Sequence, residues 1–130
     1  MARENWLLTD TREAAADISA HHLKFVKLDT NGRVAAMAAA TDIPHGVLLN
    51  KPDTLGKAAT IGLIGVGKIQ ANGAITAGDV IGTSADGQVD GKTAGSDTTE
   101  YVVGMATDTV TGAGEYVTCT VNCIAPHRSA

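Results

Sequence analysis

Turn signals divide this chain into short apolar runs, and their spacing is the feature that most constrains its fold. The run FVKL is followed by Asn31-Gly32, a pair that strongly favours a hairpin turn, and then by RVAAM. Later runs are separated by Asp86-Gly87 and by the turn sequence TGAG. Short β-rich runs with a turn roughly every 8 to 12 residues are typical of barrels and sandwiches. We therefore predict an all-β fold, a small antiparallel β-barrel or β-sandwich-like domain.

Length and composition limit what can form the core. The chain has 130 residues, of which 44% are hydrophobic and only 3% aromatic, so the core must be built from Val, Ile, Leu, Ala and Met. A chain of this length forms one domain and buries roughly two thirds of its unfolded surface. We divide it into an N-terminal arm (1–22), a β-barrel domain (23–124) and a C-terminal tail (125–130).

The arm is polar apart from one apolar cluster, Trp6-Leu7-Leu8. Two conformations are open: an extended arm, or a short helix over REAAADI with Asp10 and Glu13 as a capping box. A polar segment of this length has little apolar surface with which to order itself. We therefore predict that the cluster is buried against a neighbouring chain; the alternative is that Trp6 packs back onto its own barrel.

Self-comparison indicates an internal duplication. The segment FVKLDTNGRV (25–34) aligns with VIGTSADGQV (80–89), and GVLLNKPDTLGKAATI (46–61) aligns with GMATDTVTGAGEYVTC (104–119). The two offsets, 55 and 58, are nearly equal. Chance similarity between turn-rich β sequences is the alternative.

The stretch IGLIGVGKIQANG resembles a phosphate-binding loop, because Gly62, Gly67 and Lys68 have the spacing G-x-x-x-x-G-K. Such a loop needs a hydroxyl after the lysine to hold magnesium and a helix after that to receive the phosphate. Here Ile69 follows the lysine, and the next turn signals lie too close together for a helix. We predict a strand that crosses between the two halves of the duplication.

No catalytic or metal-binding constellation is recognisable, so we predict neither an active site nor a cofactor. Histidine occurs at His21, His22, His45 and His127. The first two are adjacent and would point to opposite faces of a strand, and surface or loop positions are expected for all four. Cys119 and Cys123 alternate with polar residues along one strand, about 13 Å apart, too far for a disulfide. We predict two buried free thiols, as in a protein made in a reducing cytoplasm.

Charge and hydropathy argue against two further classes of partner. The formal net charge is −4 and the pI is about 5.4, whereas nucleic-acid binding calls for a basic face. No apolar run reaches the roughly 18 residues that a membrane span requires, and the start MARENWLLTD has no secretory signal pattern. We therefore expect neither a nucleic-acid nor a membrane partner.

The order of several segments resembles the capsid decoration proteins, or head cement proteins, of tailed bacteriophages. The resemblance covers about residues 17 to 122, and its most specific pieces are the opening DIS-x-x-x-x-x-FVKL, the segment GVLLNKP, the turn AGD-x-I-x-x-x-x-x-G and the strand VVG-x-A. Each piece alone is weakly specific, whereas their order and spacing together are fairly specific.

This resemblance implies a structural virion protein without catalytic residues or cofactors. Such proteins bind the outer surface of the head, commonly as trimers, and clamp neighbouring major capsid subunits. The expected partners are thus the major capsid protein and further copies of this chain, with Trp6, Leu7 and Leu8 as contact residues. The alternative is a binding module displayed on the particle, for example a carbohydrate-binding one. Such a module usually exposes aromatic side chains, and the chain has only four aromatic residues, which argues against this alternative.

Overall fold

Eleven β-strands and one short 3-10 helix form the secondary structure of residues 4–129, the part of the chain that this computed structural model describes. The strands are β1 (Asn5–Glu13), β2 (Phe25–Leu28), β3 (Val34–Ala36), β4 (Gly46–Leu48), β5 (Ala58–Gln70), β6 (Val80–Thr83), β7 (Val89–Gly91), β8 (Tyr101–Val102), β9 (Gly104–Ala106), β10 (Tyr116–Asn122) and β11 (His127–Arg128). The helix spans Ser19–His21. The all-β prediction is confirmed.

The long strand β5 lies at the centre of the main sheet. The strand order is β3-β2-β4-β5-β10-β9-β6-β7, with β1 also paired to β5. Residues 61–62 pair with both β1 and β4, and residues 64–66 pair with both β1 and β10. Strand β1 therefore covers one edge of β5, while β4 and β10 share the other edge end to end. The sheet curls into a half-barrel, and β8 and β11 form a separate two-stranded sheet.

The main sheet contains one strand arrangement twice. We call β1–β4 with the first half of β5 unit 1, and the second half of β5 with β6, β7, β9 and β10 unit 2. The pair Val26–Ala36 in unit 1 corresponds to Ile81–Gly91 in unit 2, 55 residues later. The pair Leu48–Ile61 corresponds to Ala106–Cys119, 58 residues later. The internal duplication is confirmed, and β5 is the strand that crosses between its halves.

Each unit closes through an equivalent parallel bridge. In unit 1, Ala14 bridges to Val34, and the N–H of Ala15 donates to the Val34 carbonyl at 2.8 Å. In unit 2, Ala71 bridges to Val89, whose carbonyl accepts from the N–H of residue 72 at 2.9 Å. In unit 1 the bridge joins β3 to the end of β1, and in unit 2 it joins β7 to the end of β5.

The two units bury equivalent residues. The core of unit 1 consists of Ala14, Ile18, Val26, Val34, Leu48, Ala59 and Ile61. The core of unit 2 contains the equivalent of every one, namely Ala71, Ile75, Ile81, Val89, Ala106, Val117 and Cys119. A one-residue slip would turn each of these side chains to the opposite face, so the repeated apolar pattern specifies the repeated register.

Unit 1 docks on unit 2 through the outer face of β2 and β4. Phe25, Val47 and Gly62 form one row across β2, β4 and β5. Phe25 and Val47 are fully buried and belong to the core of unit 2 rather than to that of unit 1. The N–H of Phe25 donates to the carbonyl of Gly87, in the β6–β7 turn, at 2.7 Å. This row therefore joins the two units.

An acid–lysine pair occupies equivalent places in both units, although the lysine comes from a different strand. In unit 1, Lys27 of β2 donates to Asp42 at 2.9 Å. The equivalent acid in unit 2 is Glu100, whereas the equivalent of Lys27 is Gly82. Lys92, directly after β7, pairs with Glu100 instead, and its stem lies over Gly82 with the side chain only 1% exposed. A side chain at Gly82 would meet the Tyr101 carbonyl first and the Lys92 stem next, so glycine at this position leaves room for both.

The structure differs from two local expectations of the sequence analysis. The helix over REAAADI does not form: residues 5–13 are extended and pair with β5, which offers an open edge, while Ala14 and Ile18 enter the core. The strand expected over VVG-x-A (102–106) is divided between two strands, because β8 pairs with β11 and β9 pairs with β6 and β10.

Candidate interaction surface

The first half of β1 is an edge that exposes two leucines. One edge of β1 pairs with β5 along its whole length. Among residues 4–129 the other edge receives only the bridge between Ala14 and Val34, just beyond the end of the strand. Leu7 is 78% exposed and Leu8 43% exposed. The pairing register shifts on both sides of Leu8, and this irregularity interrupts the alternation that would bury one of two consecutive residues.

Trp6 lies against its own sheet. Its indole ring covers Gly62 and Gly67 of β5, and a Cβ atom added at Gly62 would lie 2.5 Å from the ring carbons. One added at Gly67 would come closer still, so only glycine leaves room for the indole at both positions. The ring packs on the core of unit 2, and Nε1–H donates to Glu4 at 3.4 Å. Trp6 thus packs on its own sheet, as in the alternative given above, and a contact of Trp6, Leu7 and Leu8 with a neighbouring chain stays a prediction.

The second half of the β1 edge carries charge. Asp10 accepts a hydrogen bond from Arg12 at 2.6 Å, and His45 Nε2 lies 3.1 Å from the same carboxylate oxygen. The hydrogen bond from Arg12 lowers the pKa of Asp10, although partial burial opposes the shift. Glu13 pairs with Arg33 at 3.6 Å. Charged side chains on a strand edge discourage strand addition, so residues 5–9 are the part of this edge that is open to a partner.

A second exposed apolar patch lies on unit 2, and the sequence analysis missed it. Val80 of β6 is 39% exposed and Met105 of β9 is 45% exposed, and the two form a cross-strand pair. They line a shallow groove of about 460 Å³ together with Val102, Val103, Gly104, Thr120, Asn122, Ala125 and His127. None of these residues is an Asp, Glu, Lys or Arg. The repeat alignment contained the relevant signal, because it matches Val80 and Met105 to Phe25 and Val47.

The residues that resemble a phosphate loop lie within one strand. Gly62, Gly67 and Lys68 all belong to β5, as predicted. The ammonium group of Lys68 lies 3.6 Å from a carboxylate oxygen of Glu4 and 5.9 Å from the centroid of the Tyr116 ring. The glycines accommodate the Trp6 indole, and the lysine pairs with side chains of its own chain.

Both cysteines are buried free thiols, as predicted. Cys119 lies in β10 and Cys123 directly after it, and both belong to the core of unit 2. Burial raises the pKa of each thiol to about 12. Because the thiolate is the reactive form, neither cysteine is suited to nucleophilic or redox chemistry near neutral pH.

The structure places the histidines apart from one another, except for the adjacent pair His21 and His22. His21 ends the 3-10 helix, His45 lies beside Asp10, and His127 is in β11. In the part of the chain that the structure describes, no three His, Cys, Asp or Glu side chains are grouped closely enough to hold a metal ion. A search of the same residues also finds no helix with the length and apolar character needed to span a membrane.

Comparison with known proteins gives a similarity of fold. No protein-family model matches the chain, and no curated protein sequence matches it. Among solved structures, it is similar to the crystal structure of the head fiber gp8.5 N base in bacteriophage phi29. The TM-score is 0.61 at 22% sequence identity, and the match covers 89% of this chain and 94% of the other. The two folds are alike over nearly their full lengths.

Proposed function

We propose that this chain is a structural protein of a tailed-bacteriophage head, which binds the outer surface of the shell and clamps neighbouring major capsid subunits. The observation that carries the proposal is the fold similarity to the phi29 head fiber base, which covers 89% of this chain and 94% of the other. The ordered segments that resemble capsid decoration proteins point to the same class of protein.

The β1 edge is the proposed contact with the shell. Residues 5–9 are uncharged, the strand is already ordered by β5, and Leu7 and Leu8 project exposed apolar side chains. A partner strand that pairs with this edge would gain main-chain hydrogen bonds, and the leucines would lose exposed apolar surface. Because a shell presents the same site many times, contacts that are individually weak are sufficient for stable decoration.

We further propose that the bound form is a trimer. A clamp at the junction of three shell subunits satisfies three identical sites at once when it has matching symmetry, and heterologous contacts of this kind close into a ring. Cryo-electron microscopy of decorated particles tests this proposal directly. Density for isolated monomers or dimers at the lattice sites would reject it.

Co-sedimentation with particles that lack this protein tests the function. We expect the wild-type chain to sediment with the shells, and the double variant Leu7→Glu/Leu8→Glu to bind at least about tenfold more weakly, since loss of a hot-spot side chain costs about 2 kcal/mol or more, roughly thirtyfold. The matched control is Leu55→Glu, which alters a residue that is 59% exposed in a loop of unit 1. A wild-type chain that stays in the supernatant at all concentrations would refute the proposed function.

A further inference from the structure

The two units differ in what covers one equivalent row of residues. In unit 1 the row is Phe25–Val47–Gly62, whose first two members are 0% exposed because unit 2 packs on them. In unit 2 the equivalent row is Val80–Met105–Thr120, with the same pairing across β6, β9 and β10. Here Val80 and Met105 are exposed, as is Thr120. The face by which unit 1 docks is thus present a second time on unit 2, without a covering partner among residues 4–129.

The covered row shows what chemistry such a face accepts. Phe25 and Val47 meet apolar side chains, and the N–H of Phe25 donates to the carbonyl of Gly87, which is at a turn. The groove beside Val80 and Met105 is lined by apolar and neutral polar residues in a chain with 18% charged residues. An occupant of this face should therefore present apolar side chains beside a backbone carbonyl. An anionic ligand such as nucleic acid would find no charge partner in the groove lining.

The equivalent end of unit 1 does not match this surface in chemistry, which bears on whether a second copy could bind there head to tail. The residue equivalent to Gly87 in unit 1 is Gly32, whose carbonyl accepts a hydrogen bond from Arg12 of its own chain at 3.3 Å. Glu13 and Arg33 form an ion pair beside it. This end of unit 1 is therefore charged, whereas the groove beside the uncovered row has no Asp, Glu, Lys or Arg in its lining. Because of this mismatch we take the occupant to be a different protein, and a contact between copies is one of the outcomes of the test below.

We infer that the row Val80–Met105–Thr120 is a second docking surface for a shell subunit, and this inference rests on the proposed function. A clamp has to hold two neighbours at once, and the β1 edge and the uncovered row are apolar surfaces that lie on different units. The β1 edge of unit 1 takes one shell subunit, and the uncovered row of unit 2 takes the adjacent one through an apolar side chain next to a backbone carbonyl.

The test compares variants on the same particles that lack this protein. Met105→Glu and Val80→Glu should each weaken co-sedimentation at least tenfold, which corresponds to about 1.4 kcal/mol. The control Leu55→Glu should bind as the wild type does. Thr120→Arg is the second variant, because it changes a side chain that is already polar and exposed and so tests the row even if the other two fail to fold; thermal unfolding establishes which variants are folded.

A second readout separates clamping from simple binding. At concentrations that restore full occupancy, the variants of the row should fail to raise the temperature at which the shells open, since they hold only one neighbour. Folded variants that bind and protect the shells like the wild type would overturn the inference and leave the proposed function standing. If sedimentation shows that Met105→Glu instead dissociates a self-associated form of the free protein, the row is a contact between copies and the inference is wrong. If the wild-type chain does not bind shells, both proposals fail.

Discussion

The contact between Trp6 and the glycines of β5 predicts that Gly67→Ala changes stability in opposite directions with and without the indole. At Gly67 the three atoms nearest to an added Cβ all belong to the Trp6 indole. Gly67→Ala should therefore push the ring off the sheet, and overpacking of this kind costs about 1–3 kcal/mol. Trp6→Ala should cost about 2–3 kcal/mol, less than the 3–5 kcal/mol typical of a fully buried aromatic, because Trp6 is only partly buried.

The double variant Trp6→Ala/Gly67→Ala should be more stable than Trp6→Ala alone. With the indole gone the added Cβ meets open space, and alanine in a strand interior is favoured over glycine by about 0.5–1 kcal/mol. The same Gly67→Ala change therefore destabilises the wild type and stabilises the Trp6→Ala variant, with a coupling energy of roughly 2 kcal/mol.

Chemical denaturation followed by circular dichroism measures the four free energies of unfolding in this cycle. In variants that keep Trp6, the only tryptophan of the chain, its fluorescence reports separately on whether the indole stays packed against β5. The control is Gly73→Ala, where an added Cβ has no neighbour within 4 Å, so its effect should be small in both backgrounds. If Gly67→Ala is neutral in the wild type, or if the two single effects add, the indole does not depend on these glycines.

Three further predictions follow from the buried and paired side chains. Lys68→Ala should leave the free energy of unfolding nearly unchanged, and calorimetry should show micromolar affinity for ATP in neither the wild type nor the variant. ATP binding by the wild type that is lost in Lys68→Ala would instead indicate a phosphate-binding site. Lys92→Ala should cost roughly 2–3 kcal/mol, because it leaves Glu100 without its buried partner and opens space above β6. Lys92→Met also leaves Glu100 without that partner but fills the space, so it should cost less in the same denaturation assay. Equal losses would show that volume is not a cause. Because burial raises the pKa of Cys119 and Cys123 from 9.0 to about 12, the unfolded chain loses these protons first, so stability should fall as the pH rises from about 9 towards 12, and less steeply in the Cys119→Ala/Cys123→Ala variant. At pH 8 a thiol reagent should react with neither cysteine until the protein is unfolded, and rapid reaction of the native chain would contradict their burial.

Point changes test the role of the N-terminal segment better than a deletion does. Residues 2–16 include all of β1 and the core residue Ala14, and β1 covers a full edge of β5. Deleting them should therefore unfold unit 1 rather than leave an intact barrel without an arm. Point changes at Leu7 and Leu8 avoid this problem, because both side chains are exposed.

The sequence by itself determined the class of the fold, the internal repeat, and the fact that the segment resembling a phosphate-binding loop is a strand. These conclusions rest on local and periodic signals: turn residues at Asn31-Gly32, alternation through Cys119 and Cys123, and two alignments with nearly equal offsets. Alternation fixes which residues share a face of a strand, because a one-residue slip would bury the wrong set. For that reason the registers of the two units agree with the alignment that the sequence predicted.

Only the tertiary structure decided which of the equivalent faces are covered. Phe25 and Val80 occupy the same position in their units, as do Val47 and Met105, and all four are apolar, so no local signal separates the buried pair from the exposed one. The difference arises because unit 2 packs on the first pair, whereas nothing among residues 4–129 packs in the same way on the second. Trp6 was undetermined for the same reason: the free space that receives its indole is created by glycines more than 50 residues away in the chain, which come next to it only when β1 pairs with β5.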